Sequence, residues 1–225
     1  MKINTFALLL IAGALPAATL DAVLQKMDAN AAAYAGVVGK IKRTQHTAVI
    51  NEDTVDSGTV VIKRVKSKSA MMLMEINEPD KNRRTLAYAD KKIQNYLPKI
   101  NTVQIFDFAK FDSAITQGLL IGFGTSSKDL RAAYDMKALA EETVGGGKTA
   151  RLELLPKSAT MRENIKKIEL WMDLAAGYPR QVKVHESGGN YWLFAYSDIE
   201  LLPNIPDERV RFKMPANVKK EYPQK

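Results

Sequence analysis

Residues 165–186 read IKKIELWMDLAAGYPRQVKVHE, and this stretch decides the fold class. Ile168, Leu170 and Met172 alternate with Lys167, Glu169 and Trp171. After the turn AAGYP, Val182 and Val184 alternate with Gln181, Lys183 and His185. Strand side chains point to opposite faces in turn, so each run has one apolar face and one wet face. A short turn between two such runs joins them antiparallel.

The same grammar extends outward. GVVGKIKRTQHTAVI from Gly36, GTVVIKRV from Gly58 and SAMMLMEI from Ser69 are β-branched or apolar runs separated by polar turns. RTLAYADKKIQNYLPKINTVQIFDF, from Arg84, reads as two strands joined at Asp90-Lys91, a break at Pro98 and a third strand over Val103 to Phe106. Strands are expected again from Tyr134 to Val144, in TARLELLP up to Pro156, and in YWLFAYSDIEL from Tyr191. A last strand is expected in DERVRFKMP, where Val210, Phe212 and Met214 alternate with Arg211 and Lys213. Helices are few. LDAVLQKMDANAAAY places Leu20, Val23, Leu24 and Met27 on one face, with Thr19 or Asp21 as cap. The apolar, glycine-containing segment from Ala109 to Tyr134 reads as short helices and a loop, with Ser127 capping a turn through Leu130. The expected class is α+β: a curved antiparallel sheet whose apolar face is covered by a few helices.

The amino terminus, MKINTFALLLIAGALPAATL, has Lys2, an apolar run and then small residues. That order is a secretory signal peptide, with cleavage after Ala14 or Ala17. Residues 1–17 are expected to be removed and 18–225 to form one domain. The apolar run is well short of the ~20 residues of a membrane span. The chain has no cysteine, hence no disulfide and no lipidated cysteine after that run. A soluble, monomeric periplasmic protein is expected. Its 46% hydrophobic and 26% charged residues suit a globular domain with a real core. The net charge of +8 favours acidic partners. Export argues against nucleic acid and for transient contact with a membrane surface or an acidic protein. The basic groups Lys63, Arg64, Lys66 and Lys68, and Lys81, Arg83 and Arg84, are the candidates for that contact.

Catalytic signatures are missing. His46 and His185 fall in different strands with no HExxH, which argues against zinc. GGGKT has Glu142 where a phosphate loop needs its first glycine, and GFGTSS ends with Ser127 where a third glycine belongs. No enzyme, metal or cofactor is expected. The three methionines and one leucine of Met71 to Met74 leave three readings open: core strand, soft-metal ligands or cavity wall. The register chosen turns Met72 and Met74 inward with Ala70 and Ile76, and Met71, Leu73 and Glu75 outward. By the same alternation Ile62, Leu86, Tyr88, Ile168, Leu170, Val182 and Val184 complete the inner wall.

The order of these pieces resembles the periplasmic outer-membrane lipoprotein carriers, the LolA-like family. The likeness rests on the opening helix, the GTVVIKR strand, the strand ending in NEP and the hairpin LAYADKKIQNYLP. It continues through ARLELLPK, IELWMD, YPRQVKVHESGGNYW and RVRFKMPANV. It implies a half-barrel around a hydrophobic cavity for acyl chains of lipoproteins or lipids. It also implies an inner-membrane transporter as donor and an outer-membrane receptor as acceptor. Those carriers place an arginine beside an aromatic residue at the start of the third strand; KSKSAMMLM has neither. A lipid-sensing regulator of the same fold is the alternative, although sensors usually carry an extra domain and this chain stops soon after FKMPANV.

Overall fold

The computed structural model describes residues 18–66, 69–109, 118 and 120–223. The expected signal peptide lies outside them. A capped helix opens the fold: the Thr19 hydroxyl accepts from the Ala22 amide at the start of α1 (Leu20–Ala33), which buries Val23, Leu24, Met27 and Ala31. Strands β1 (Gly36–Thr47), β2 (Glu52–Lys66) and β3 (Ser69–Glu78) follow, then β4 (Arg84–Ala89), β5 (Lys92–Leu97) and β6 (Thr102–Asp107). Helix α2 (Ser127–Ala133) leads to β7 (Tyr134–Val144) and β8 (Gly147–Pro156). Helix α3 (Ala159–Asn164) precedes β9 (Ile165–Asp173), β10 (Pro179–Glu186), β11 (Tyr191–Leu202) and the short β12 (Lys219–Glu221).

These strands form one open sheet in the order β12-β6-β5-β4-β3-β2-β1-β11-β10-β9-β8-β7. It is the open half-barrel, α+β arrangement that the alternation and the resemblance imply. Every pairing is antiparallel except β12 on β6. Turn chemistry sets the hairpins. Asp90 and Lys91 take φ of 51° and 62°, both positive, as the tightest right-twisted hairpins require.

Helices and loop cover the concave face in two patches. Val23, Leu24 and Met27 of α1, with Leu130 and Ile121, pack on Leu152, Leu154, Ile168, Leu170 and Met172. Leu120 and Phe123 pack on Val37, Ile41, Val60, Ile62 and Met74. At ~25 cal/mol per Å² of apolar surface removed from water, this burial is the main force holding the helices to the sheet.

Three expectations need correction. The cap of α2 is Ser126, whose hydroxyl accepts from the Asp129 amide; the Ser127 amide and hydroxyl instead donate to Asp28 on α1. DERVRFKMP is not a strand: residues 207–209 form a 3-10 turn, and the amides of Val210 and Arg211 bond back to the Asp207 carbonyl. The alternation there comes from Val210 being buried and Phe212 resting on Tyr96 at 5.4 Å, without a neighbouring strand. The outer face of β9 is not wet, because Glu169 and Trp171 are both buried.

Candidate functional site

A cavity of about 500 Å³ opens between the concave face and its cover. Its floor comes from Ile41 on β1, Val60 and Ile62 on β2, Met72 and Met74 on β3, Ile168 on β9, Val182 and Val184 on β10, and Phe194 and Tyr196 on β11. Register explains the convergence. Ile62 stands opposite Met72 and Val60 opposite Met74, while Val184 stands opposite Ile168 and Val182 opposite Phe194. Gly118, Ile121 and Tyr134 close one side. Met161 and Ile165, with the exposed Ser158, Thr160 and Asn164 around α3, form another. The volume falls within the ~300–1,000 Å³ of small-molecule sites.

No charged side chain stands among the described residues that line this space. Its polar groups are neutral. Burial pushes the Tyr134 and Tyr196 hydroxyls above their ordinary pKa, so both stay protonated across the physiological range. Phe123 meets the Tyr196 ring edge-on at 5.0 Å, linking the cover loop to the floor. Gly122 in that loop has φ of +76°, and a Cβ there would lie 2.8 Å from the Pro179 ring. Only glycine lets the loop cross β10 so closely. No group of three or more His, Asp or Glu side chains able to hold a metal occurs among the described residues.

Of the nine residues expected on the inner wall, six line the cavity: Ile62, Met72, Met74, Ile168, Val182 and Val184. The other three do not. Leu170 has no exposed surface and lies in the cluster filled by α1. Leu86, opposite Met74, is half-buried at the edge of the β1–β3 cluster. Tyr88, opposite Met72, is 2% exposed and outside the cavity wall. Alternation fixes which face a side chain uses, but not whether a helix or empty space stands above it. Met71, on the other face of β3, is also buried, so burial alone could not have separated the methionine pairs.

Sequence reasoning missed the aromatic wall and α3. Tyr191 to Tyr196 are all half-buried, and YWLFAY has a large side chain at nearly every position, so it carries no alternation to read. The polar stretch after Pro156 hides α3, whose one sequence signal is Ser158, which accepts from the Met161 amide. The expected basic surface is largely committed within the molecule. Lys63 binds Asp207, Arg64 donates to the Ala31 and Tyr34 carbonyls, Arg83 binds Asp80, and Arg84 reaches Asp56. Lys68 and the Lys66 side chain lie outside the described residues.

No family model and no curated protein matches the sequence. Solved structures are similar over most of the chain. An uncharacterized conserved protein from Thermus thermophilus is 12% identical, with a TM-score of 0.54, over 90% of this chain and 98% of that one. The Mycobacterium tuberculosis lipoprotein LppX is 11% identical, with a TM-score of 0.50, over 84% and 100%. A LolA superfamily protein from Nitrosomonas europaea is 12% identical, with a TM-score of 0.41, over 87% and 99%. At these identities the likeness is one of fold.

Proposed function

We propose that the protein is a periplasmic carrier that takes acyl chains of lipoproteins or lipids into this cavity and moves them towards the outer membrane. The observation that carries the reading is an apolar space of about 500 Å³ whose described lining bears no charge. Each methylene transferred from water into such a space gains ~0.8 kcal/mol, so even part of one acyl chain gives useful affinity. Met72, Met74 and Met161 at the wall suit a cargo of variable shape, because thioether chains repack at low cost. No helix among the described residues is long and apolar enough to cross a membrane. Carriage needs no catalytic group. An inner-membrane transporter as donor and an outer-membrane receptor as acceptor complete the proposal, with residues 1–17 as the export signal.

Met72→Glu tests it. The variant puts a carboxylate among Ile62, Met74 and the facing β9–β11 side chains, where an acyl chain would lie. Uptake of a fluorescent acyl probe should fall at least tenfold. The melting temperature should change little, because the charge can hydrate in a pre-existing cavity, whereas an unpaired charge in a solid core is costly. Unchanged uptake would place binding elsewhere, and an unfolded variant would mean the space is core. Mass spectrometry of lipids co-purifying with the exported protein identifies the cargo.

A further inference from the structure

The concave face does not stay apolar to its end. Two residues beyond Ile41 on β1, and on the same face, stands Arg43, only 6% exposed. Its register partners are Asp56 on β2 and Phe194 on β11. Arg43 Nε and Nη2 donate to the two Asp56 carboxylate oxygens at 2.8 and 2.7 Å. Arg84, arriving from β4, donates to the same carboxylate at 3.1 Å. Two guanidinium groups thus share one carboxylate that is itself 4% exposed. Donors are left over: Arg43 Nη1 has no partner among the described residues, and the buried Arg84 Nε has none either.

Arg43 also faces a second cavity, of about 260 Å³, bounded by Val184, Trp192 and Phe194. Val184 and Phe194 line the main cavity as well. The two spaces are therefore adjacent, with Val184 and Phe194 bordering both. Trp192 holds the Arg43 guanidinium at 5.5 Å from its ring and stacks on Phe194 at 6.1 Å. The group is fixed in direction before any ligand arrives.

We propose that this end of the concave face is an anion site, in which Arg43, backed by Arg84, receives the phosphate or carboxylate of a lipid whose chains occupy the main cavity. The proposal rests on the lipid-carrier reading and adds the class of cargo: acyl lipids with an anionic head. Arg43 shares its one counter-charge with Arg84, whose side chain is 31% exposed, so water offsets only part of the surplus. An incoming anion would supply the missing counter-charge and take up the spare Arg43 Nη1 donors in charge-assisted hydrogen bonds, since Arg43 is the arginine that lines the cavity. The apolar floor next to it accepts the chains. Asp56 has a definite part: it keeps the arginines in place when the site is empty and leaves a surplus of one positive charge.

The test compares phosphatidic acid with a diacylglycerol of the same chains, each displacing a fluorescent neutral acyl ester from the full-length protein. Phosphatidic acid should bind roughly tenfold more tightly, as expected for one charge-assisted hydrogen-bonded contact. Arg43→Gln should remove that preference while leaving diacylglycerol binding unchanged. Should Arg43→Gln fail to fold with Asp56 short of a partner, Arg43→Gln/Asp56→Asn removes both charges with little change of shape. Equal binding of the two lipids by the unaltered protein would overturn the anion site and leave the cavity reading intact. Binding of neither would overturn the cavity reading itself. A preference that survives in both variants would put the anion elsewhere and overturn the assignment to Arg43. Inorganic phosphate alone should not displace the neutral ester; displacement would make this a free-phosphate site and overturn the lipid assignment.

Discussion

Two carboxylates are buried on opposite faces of this sheet, each held by arginine, and only in one of the two clusters is every guanidinium nitrogen bonded. Glu169, on the outer face of β9, accepts from Arg151 Nε and Nη2 at 3.0 and 2.5 Å and lies 2.5 Å from His185 Nε2. Arg151 goes on to Glu142, whose other oxygen accepts from Trp171 at 2.8 Å. Lys167 goes on to Glu153, which also binds Lys137. Leaving the histidine aside, Arg151, Lys167 and Lys137 balance Glu169, Glu142 and Glu153 one for one. On the inner face Asp56 faces two guanidiniums, with donors to spare. A closed network fixes strands to one another; an open one is a place where something else can bind.

Glu169→Ala should be the most damaging. Removing one member of a buried charge network leaves its partners uncompensated, at a cost that runs to several kcal/mol. Water can reach the partly exposed Arg151 and Lys167, so the lower end applies, about 3 kcal/mol. For a chain of this size that is a fall in melting temperature of roughly 6–12 °C. Binding of a neutral acyl ester by the folded fraction should not change, because Glu169 lies on the far side of the sheet from the cavity. A fall below about 2 °C, well under that range, would mean the network is not structural.

Acid should reproduce part of that loss. Burial alone would raise Glu169, but the hydrogen bonds from Arg151 and His185 and the charges of Lys167 and Arg151 outweigh it and hold it down to about 2, from an ordinary 4.5. A carboxyl depressed on folding adds stability that is fully present above its unfolded value and lost as pH falls towards the folded one. The window is therefore pH 4.5 down to about 2, and the loss there is on the order of 2–3 kcal/mol. Glu142, Glu153 and Asp173 are lowered too and add to it. Urea unfolding followed from pH 7 to pH 3 should show a shallower decline for Glu169→Gln than for the unaltered protein. Parallel declines would remove Glu169 from the account.

The contrast also explains what could be read from the sequence. Faces were legible: Ile168, Val182, Met72 and Met74 fall where alternation puts them, because period-two patterning is a local property. What stands above a face was not. Leu170 lies under α1 and Ile168 beside open space, a difference that depends on a helix more than a hundred residues away. The charge clusters were harder still. Lys167, Glu169 and His185 look like the wet side of two strands, and only the neighbouring β8, with Arg151, turns them into a buried network. Arg43 is the plainest case. In GKIKRTQHT it passes for one more surface cation, and only the cross-strand Asp56 makes its inward position tolerable. Pairing partners far apart in sequence decide both matters, and patterning within one strand cannot report them.

Arg84→Met should have the smallest effect, and its size discriminates most sharply. The substitution gives up one hydrogen bond to Asp56 at 3.1 Å. It also removes a buried Nε that has no partner, and leaves Asp56 in a one-to-one, two-bond pair with Arg43. A charged hydrogen bond contributes ~1.5–3 kcal/mol, while leaving a buried donor unsatisfied costs ~1–3 kcal/mol. The two terms oppose each other and the net change should stay within ~1 kcal/mol. Arg151→Met offers no such offset: Glu169 keeps only Lys167 and His185, Glu142 keeps only Trp171, and no unsatisfied donor is relieved. Its cost should exceed that of Arg84→Met by about 2 kcal/mol, with both variants measured by urea unfolding at pH 7. If the two cost the same, the Asp56 cluster is as closed as the Glu169 network, and the surplus charge assigned to the inner face has no basis.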